Sequence, residues 1–267
     1  MKRSNLLNVV AAVALVALAS GHGAIGAAPA TAQQADVPAL PSPDLYAGSP
    51  YLRELRNSLV YGEVWERPYL SKRDRSLITI AVLQALAREE LAIHIPRGLD
   101  NGLTPEEISE IILHVTFYAG WPTGVQASLT AAEAFEARGV TLGELPEAPE
   151  LPEAVTTPGG LSDAYAAVPR LGALRNSLLY GNIWERPLLS KRDRSLVTVA
   201  VNQALYVTNE LRLHIDRALD QNGVTPQELS EVVLHVTFYA GWPAAVNAGR
   251  LLTAALRARD VSFADLK

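Results

Sequence analysis

Residues Leu55–Leu86 read LRNSLVYGEVWERPYLSKRDRSLITIAVLQAL, and this stretch decides the fold because the chain contains it twice. The second copy, LRNSLLYGNIWERPLLSKRDRSLVTVAVNQAL at Leu174–Leu205, differs at seven of 32 positions. The block HVTFYAGWP likewise occurs unchanged at His114–Pro122 and His235–Pro243. A period of about 119 residues is far longer than the roughly 20–50 residues of a solenoid repeat. The chain is therefore interpreted as a tandem duplication of one domain.

Each copy is predicted to be helical throughout. Ser71 followed by Asp74 is typical of a helix start, and Thr104-Pro105-Glu106-Glu107 predicts a capping box with proline in the first turn. The β-branched run Ile78–Val82 alone would favour a strand. The cap before the run, and the lack of Gly or Pro just after it, favour a helix instead. We expect about five helices per copy and an all-α fold.

The N-terminus predicts a secretory signal peptide over residues 1–32. Lys2 and Arg3 precede an apolar stretch of 14 residues, and Ala30-Thr31-Ala32 fits the cleavage rule. The apolar stretch is shorter than the roughly 20 residues of a membrane span, although an uncleaved anchor remains the alternative. A periplasmic or secreted protein, with no membrane attachment after cleavage, is expected.

Composition shifts divide the rest of the chain. Four prolines with several glutamates indicate an extended linker between the copies. The predicted segments are a Pro/Ala-rich leader at 33–50, a first domain at 51–141, the linker at 142–167 and a second domain at 168–267.

The composition also excludes several functions. The 267 residues contain no cysteine, which excludes disulfides, thiolate metal sites and a cysteine nucleophile. Lys and Arg number 23 against 28 Asp and Glu, a net charge of −5, so no basic footprint for nucleic acid is present and no nucleic-acid partner is expected.

Four histidines occupy matching positions of the two copies, His94 with His214 and His114 with His235. Each follows a glutamate by four residues, which gives four pairs: Glu90 and His94, Glu110 and His114, Glu210 and His214, and Glu231 and His235. Residues four apart share a helix face, and a carboxylate beside an imidazole raises its pKa, which suits a proton donor. Two alternatives stay open, namely ordinary surface pairs and a metal site. Di-iron bundles use Glu-x-x-His spacing, so no metal is predicted.

Several motifs together resemble one known family. GEVWERP, LSKRDRSL, LDNGLTPEE and HVTFYAGWP, with the Glu-x-x-x-His spacing, are similar to the carboxymuconolactone decarboxylase family of the alkylhydroperoxidase AhpD-like superfamily. The resemblance covers roughly Leu52–Val140 and Leu171–Val261. It implies two tandem AhpD-like helical domains. Because single-domain members form ring-like trimers or hexamers, it also implies a homo-oligomer, a trimer of two-domain chains.

The superfamily includes thiol peroxidases with a Cys-x-x-Cys-x-x-x-His motif. In this chain the two cysteine positions hold Ala87 and Glu90, and in the second copy Val207 and Glu210. Thiol peroxidase chemistry is therefore excluded unless a partner supplies the thiol.

The decarboxylase branch releases CO2 from a carboxylated γ-lactone without a cofactor. The resemblance therefore implies a carboxy-lyase: a cofactor-independent decarboxylase or lactone isomerase acting on a small carboxylated lactone or related enolisable acid. General acid/base catalysis is expected from His94 and His214, oriented by Glu90 and Glu210. The second candidates for that role are His114 and His235. Arg75 and Arg194 are expected to bind the substrate carboxylate through their guanidinium forks.

Three positions depart from the family pattern. Ser76 and Ser195 stand where the family often has glutamate, and Pro96 follows His94 by two residues. These departures keep open a second function class, an exported scaffold or small-molecule binding protein without catalysis.

Overall fold

A computed structural model describes residues 45–147 and 163–267. The predicted signal peptide at 1–32, most of the leader and the middle of the linker lie outside the described residues. Within the described ranges the chain is helical, with no strand. Tyr46–Lys267 form one compact unit.

The first repeat contains five helices, as expected. Pro50–Leu55 (α1) continues as a π-helical turn over Arg56–Tyr61, and a short 3-10 turn follows at Val64–Glu66. The remaining four helices are α2 (Lys72–Ala85), α3 (Leu91–Asp100), α4 (Pro105–Ala119) and α5 (Trp121–Ala137). The β-branched run at Ile78–Val82 lies inside α2, so the helical interpretation is correct.

The second repeat has the same order of elements. A short helix, α6 (Asp163–Ala166), precedes it within the predicted linker, whereas the described linker residues 142–147 are not helical. The helices of the repeat are α7 (Pro169–Leu174), α8 (Lys191–Ala204), α9 (Thr208–Asp220), α10 (Pro226–Ala240) and α11 (Trp242–Arg257). In the described part of the chain, no helix is both long and apolar enough to cross a bilayer.

Local sequence explains where the helices begin and end. The Thr104 hydroxyl accepts a hydrogen bond from the Glu107 backbone, and the Glu107 carboxylate accepts one from the Thr104 backbone, which completes the predicted capping box. Gly120 ends α4 at a φ of 93°, which a residue with a Cβ would adopt only with strain. Trp121 and Pro122 then open α5.

Helices α2 and α8 form the centre of a shared core. In each of them 12 of 14 residues are buried, because helices of both repeats surround them. Helix α2 packs on α8 and α10, and α8 packs on α2 and α4. An all-round buried helix has no polar stripe, which explains the misleading run of branched apolar residues in the sequence. The two repeats therefore share one hydrophobic core, and this places α2 of one repeat beside α10 of the other.

Candidate functional site

Arginine Arg75 on α2 reaches across to the second repeat. Its side chain is fully buried, and its Nη2 donates to Glu231 Oε2 on α10 at 3.0 Å and to the Arg67 carbonyl at 2.9 Å. Arg67 Nε also donates to Glu231, at 2.9 Å. A buried carboxylate held by two guanidinium groups is charge-compensated and hydrogen-bonded, as burial requires.

The same arrangement occurs a second time, with the arginines from the second repeat and the glutamate from the first. Arg194 on α8 donates to Glu110 on α4 at 3.0 Å, and Arg186 Nε donates to the same carboxylate at 2.9 Å. The sequence predicted that Arg75 and Arg194 bind a substrate carboxylate. The structure corrects the partner, because each of the two is buried against a glutamate of the protein.

His235 is fixed in one neutral tautomer. The Thr79 hydroxyl donates to the Arg75 carbonyl at 2.7 Å, so Thr79 Oγ1 must accept from His235 Nε2, 2.9 Å away. The other nitrogen, Nδ1, lies 3.4 Å from Arg75 Nη1, which is a donor, so Nδ1 carries no proton. Burial, and then the Arg75 cation, hold the pKa of His235 well below its ordinary value.

His114 has the matching contacts with Thr198 and Arg194. Its Nε2 lies 2.9 Å from Thr198 Oγ1, and its Nδ1 lies 3.3 Å from Arg194 Nη1. Burial and the Arg194 cation keep its pKa well below the ordinary value. Both ring nitrogens of His114 and His235 are therefore occupied by protein groups.

His94 and His214 differ from His114 and His235 because their Nδ1 atoms have no hydrogen-bond partner among the described residues. They are 6% and 3% exposed, and Nδ1 of each is buried with no hydrogen-bond partner among the described residues. Burial, followed by the Arg97 cation, lowers the pKa of His94 to about 4. Burial, followed by Arg217 and Arg175, lowers that of His214 to about 4. A buried polar atom without a partner in a native fold requires an explanation, and a site for a ligand is one.

The side chains of the glutamates four residues earlier do not orient these two histidines. Glu90 and Glu210 are exposed, and in the described ranges neither carboxylate makes a hydrogen bond or ion pair with the imidazole of His94 or His214. The expected rise in histidine pKa is also wrong, because burial lowers the pKa instead. Glu110 and Glu231 share a helix face with His114 and His235 as predicted, but they bind arginines of the other repeat.

Aromatic rings surround each open histidine. Trp65 stacks on His94 with ring centroids 6.3 Å apart, and Tyr239 of the second repeat meets the His94 ring edge-on at 5.6 Å. Trp65 Nε1 donates to the Tyr239 hydroxyl at 3.1 Å. Burial raises the pKa of Tyr239 well above its ordinary value, so its phenol stays protonated.

Two clusters thus lie between the repeats, each built from both of them. We call the first cluster site I; its members are Trp65, Arg67, Arg75, Thr79 and His94 from the first repeat and Glu231, His235 and Tyr239 from the second. The corresponding site II consists of Trp184, Arg186, Arg194, Thr198 and His214 from the second repeat and Glu110, His114 and Tyr118 from the first. In site II, Trp184 stacks on His214 at 5.8 Å and donates to the Tyr118 hydroxyl at 2.8 Å.

An open cleft of about 390 Å³ adjoins site I. Its lining residues are Arg56, Asn57, Tyr61, Trp65, Glu66, Lys72, Arg97, Asp100 and Asn101. His94 is not on its wall. Trp65 lines the cleft and also stacks on His94, so this indole is shared by the cleft and site I.

The positions that depart from the family pattern have structural partners. Ser76 is buried on α2, and its hydroxyl accepts a hydrogen bond from Asn101 at 2.9 Å. Ser195 accepts one from Asn222 at 2.8 Å. Pro96 lies within α3, which runs without a break over Leu91–Asp100. Each serine therefore joins the central helix of its repeat to the end of the next helix.

Metal ligands are not grouped in the described part of the chain. Across residues 45–147 and 163–267, no three His, Asp or Glu side chains are placed to bind one ion.

Sequence reasoning missed the cleft arginines and underestimated the tryptophans. Arg56, Tyr61 and Arg97 recur in the second repeat as Arg175, Tyr180 and Arg217, and this recurrence was the signal available. Large aromatic side chains usually pack in cores or interfaces. Trp65 and Trp184 are buried beside the histidines, whereas Trp121 and Trp242 are more than two-thirds exposed.

Comparison with known proteins agrees with the duplicated helical fold. The pattern of the carboxymuconolactone decarboxylase family matches residues 50–134 and again residues 169–254. Two curated relatives are similar to parts of the chain. The 4-carboxymuconolactone decarboxylase of Acinetobacter baylyi is 48% identical over 81 residues, which are 30% of this chain and 60% of the relative. The nitrosuccinic acid decarboxylase of Metarhizium robertsii is 36% identical over 78 residues, 29% of this chain and 54% of the relative.

The chain is thus a tandem member of the carboxymuconolactone decarboxylase family, and both relatives are named as decarboxylases. The matched segments span little more than half the length of those relatives.

Proposed function

We propose that the protein is a decarboxylase of a small carboxylated lactone or a related enolisable acid, with His94 and His214 as the proton-transferring groups. The observation that carries this proposal is a buried imidazole, in each repeat, whose Nδ1 has no hydrogen-bond partner in the described part of the chain and which lies against a tryptophan ring; a cationic cleft adjoins site I. The family and the names of both relatives support the reaction class. Histidines spread over solvent-facing surfaces would instead have favoured a scaffold without catalysis.

Loss of CO2 leaves an electron pair on the carbon that carried the carboxylate, and the rest of the substrate must accept this pair. As the carbon–carbon bond to the carboxylate breaks, its electron pair moves into the conjugated carbonyl and forms an enolate. A proton then adds to carbon. Protonated imidazole supplies this proton, and solvent restores it.

Substrate binding itself favours the protonated form of the imidazole. Among the protein groups that surround it, His94 has a pKa of about 4, so the ring is neutral near pH 7. An anionic substrate adds a negative charge near the ring and offsets the Arg97 cation, and both effects raise the histidine pKa. Trp65 lines the cleft and stacks on His94, so a substrate that binds in the cleft and reacts at His94 contacts this indole.

His235 and His114 are assigned a positioning role. A proton on Nδ1 of either ring would face an arginine N–H, so neither ring accepts one without breaking the cluster. Arg75 with Glu231, and Arg194 with Glu110, lock the two repeats together behind the open histidines.

A screen of carboxylated lactones, with 4-carboxymuconolactone among them, tests the proposal on the full-length protein. CO2 release and NMR of the products are the measurements. General acid–base catalysis contributes roughly 10²- to 10⁴-fold, so we expect the double variant His94→Asn/His214→Asn to lose at least about a hundredfold in kcat. Exposed Arg88→Gln is the matched control and should retain activity. A double variant with wild-type turnover would refute the role of these histidines.

The same experiment distinguishes a decarboxylase from the alternative, a lactone isomerase. An isomerase changes the position of the double bond with no loss of mass, whereas a decarboxylase product is lighter by CO2. If no substrate in the screen is turned over, the decarboxylase proposal fails and the binding-protein alternative takes its place.

We further propose that the chain is exported and assembles as a trimer. The signal-like segment at residues 1–32 supports export, and N-terminal sequencing of protein from the cell envelope fraction tests it. Trp121 with Val125 on α5, and Trp242 with Val246 on α11, leave matching apolar faces exposed, and a second copy of the chain is the occupant that closed ring symmetry offers. Light scattering should give three times the chain mass, and Trp121→Glu/Trp242→Glu should give the chain mass.

A further inference from the structure

The phenol of Tyr239 on α10 carries a proton that no strong acceptor of the protein holds. Trp65 Nε1 is a donor only, so the Tyr239 oxygen accepts in the 3.1 Å hydrogen bond between them. The phenol proton must therefore point elsewhere. Across residues 45–147 and 163–267, no carbonyl or carboxylate oxygen accepts it. The Thr79 hydroxyl lies nearby and is the acceptor that these residues offer.

Thr79 is a weak acceptor for this proton. Its hydroxyl donates to the Arg75 carbonyl at 2.7 Å and accepts from His235 Nε2 at 2.9 Å, so one lone pair is left. A neutral hydroxyl oxygen holds a phenol less strongly than an anionic oxygen does, because hydrogen bonds to charged groups are roughly twice as strong. The Tyr239 proton is thus available to an oxyanion that enters site I.

Other donors of site I are either committed or enclosed. The Trp65 N–H is used by Tyr239, and the His235 Nε2 proton is used by Thr79. Arg75 Nε has no partner in the described part of the chain, but Arg75 is fully buried. Tyr239 is only partly buried. It therefore combines an uncommitted proton with access for a ligand.

Tyr239 also lies beside the histidine that we propose as the proton donor. The His94 and Tyr239 rings meet edge-on across the boundary between the repeats, with centroids 5.6 Å apart. In an enolate, the oxygen sits on the carbon next to the one that takes up the proton. A substrate whose reacting carbon faces His94 therefore presents its enolate oxygen in the neighbourhood of the Tyr239 hydroxyl.

Tyr118 of the first repeat has the matching contacts in site II. Its hydroxyl accepts from Trp184 Nε1 at 2.8 Å, and its ring meets the His214 ring edge-on at 5.6 Å. The Thr198 hydroxyl is again committed, since it donates to a carbonyl at 2.7 Å and accepts from His114 at 2.9 Å. In each site the tyrosine and the nearby histidine thus come from different repeats.

We propose that Tyr239 and Tyr118 are catalytic residues, each donating a hydrogen bond to the enolate oxygen that forms when CO2 leaves. This inference rests on the proposed function. As the bond to the carboxylate breaks, its electron pair moves onto the carbonyl oxygen, and the phenol stabilises that charge. The phenol keeps its proton, because burial raises the pKa of both tyrosines well above the ordinary value. The histidine then protonates the carbon, and the carbonyl forms again. The hydrogen bond from Trp65 polarises the Tyr239 phenol and strengthens it as a donor.

Variants that combine one histidine with one tyrosine test the assignment on the full-length protein. The same-site variant His94→Asn/Tyr239→Phe alters site I alone, and its counterpart for site II is His214→Asn/Tyr118→Phe. Each should retain about half of kcat, because the other site is intact, and KM should change little. The crossed variant His94→Asn/Tyr118→Phe alters both sites and should lose about 10²- to 10³-fold in kcat, the usual cost of removing one donor to an oxyanion.

An oxyanion probe tests the hydrogen bond without turnover. Ionised p-nitrophenolate is a planar conjugated oxyanion like an enolate, and nitrobenzene has the same ring without the oxygen. In calorimetric titration, Tyr239→Phe/Tyr118→Phe should bind p-nitrophenolate about tenfold or more weakly than the wild type, and nitrobenzene with the same affinity. The matched control Tyr51→Phe/Tyr206→Phe removes two exposed hydroxyls and should change neither binding nor kcat. Circular dichroism melting confirms that each variant is folded.

Two results would overturn the inference. One, with any substrate that is turned over, is a crossed variant that is as active as the better of the two same-site variants. The other is equal affinity of the wild type and Tyr239→Phe/Tyr118→Phe for p-nitrophenolate, including the absence of binding by either. Tyrosine-dependent binding by a protein that decarboxylates nothing would support the phenol donors and reject the proposed function. Histidine-dependent turnover that is insensitive to both tyrosines would do the reverse.

Discussion

Four buried neutral histidines make the stability of this protein depend on pH. The folded-state pKa of His94 and of His214 is about 4, against an ordinary 6.5, so the unfolded chain binds protons more readily than the folded one. Stability is therefore fully present above pH 6.5 and is lost as the pH falls towards 4. Replacing both residues with asparagine removes two of the four buried groups.

The size of the effect follows from proton linkage. Between pH 7 and pH 5.5, a histidine whose pKa falls from 6.5 to about 4 on folding costs about 1.2 kcal/mol of stability, and two such histidines cost about 2.5 kcal/mol. His114 and His235 are present in both proteins and cancel in the comparison. The double variant His94→Asn/His214→Asn should thus lose about 2.5 kcal/mol less than the wild type over this pH range.

Urea unfolding followed by circular dichroism at pH 7 and pH 5.5 measures this difference. Because the variant also changes packing, only the change between the two pH values is compared, and Arg88→Gln serves as the folded control. An identical pH dependence in the wild type and the double variant would mean that the imidazoles titrate as they do in water. Site I and site II would then be hydrated, and the reasoning from burial would be refuted.

Three further changes probe the fold. Glu231→Gln breaks the buried ion pair with Arg75 and should cost about 3–5 kcal/mol in urea unfolding. Arg138→Gln breaks the exposed pair with Asp100 and should leave the unfolding midpoint unchanged. Equal midpoints for these two variants would contradict the importance of the buried pair. Thr79→Val leaves the His235 Nε2 proton without an acceptor and should cost about 1–3 kcal/mol, a loss that the tautomer assigned above requires. Thr104→Ala and Thr225→Ala remove equivalent capping boxes and should each cost about 1 kcal/mol, and markedly unequal losses would show that the repeats are not equivalent in stability.

Local signals were sufficient for the helices. The capping boxes at Thr104 and Thr225, and the stop at Gly120, depend on residues within a few positions of each other, so the sequence specifies them directly. The duplication was equally visible. The sequence did not predict the partner of each buried polar side chain, because Arg75 and Glu231 lie 156 positions apart and no local pattern connects them.

The Glu-x-x-x-His pattern illustrates the limit. Spacing by four correctly indicates that Glu110 and His114 share a face of α4, yet that face meets α8, where Arg194 binds the glutamate more strongly than a neutral imidazole would. At Glu90 the same spacing begins at the first residue outside α3, so the carboxylate remains in solvent. The direction of the pKa shift depends on burial, which periodicity does not reveal for a helix enclosed by another repeat.

Arg75 of the first repeat binds a glutamate of the second repeat, and Arg194 of the second binds a glutamate of the first. Each cluster therefore needs both repeats, and this determines how the clusters respond to dilution of the protein. Two separate single-repeat chains would assemble such clusters only at concentrations above their dissociation constant. Here residues 142–167 tether the two halves, so the second half is always present at a high effective concentration. The clusters therefore persist at any protein concentration. Changes in one half are also constrained by the other, since every alteration of Glu110 acts on a cluster centred on Arg194.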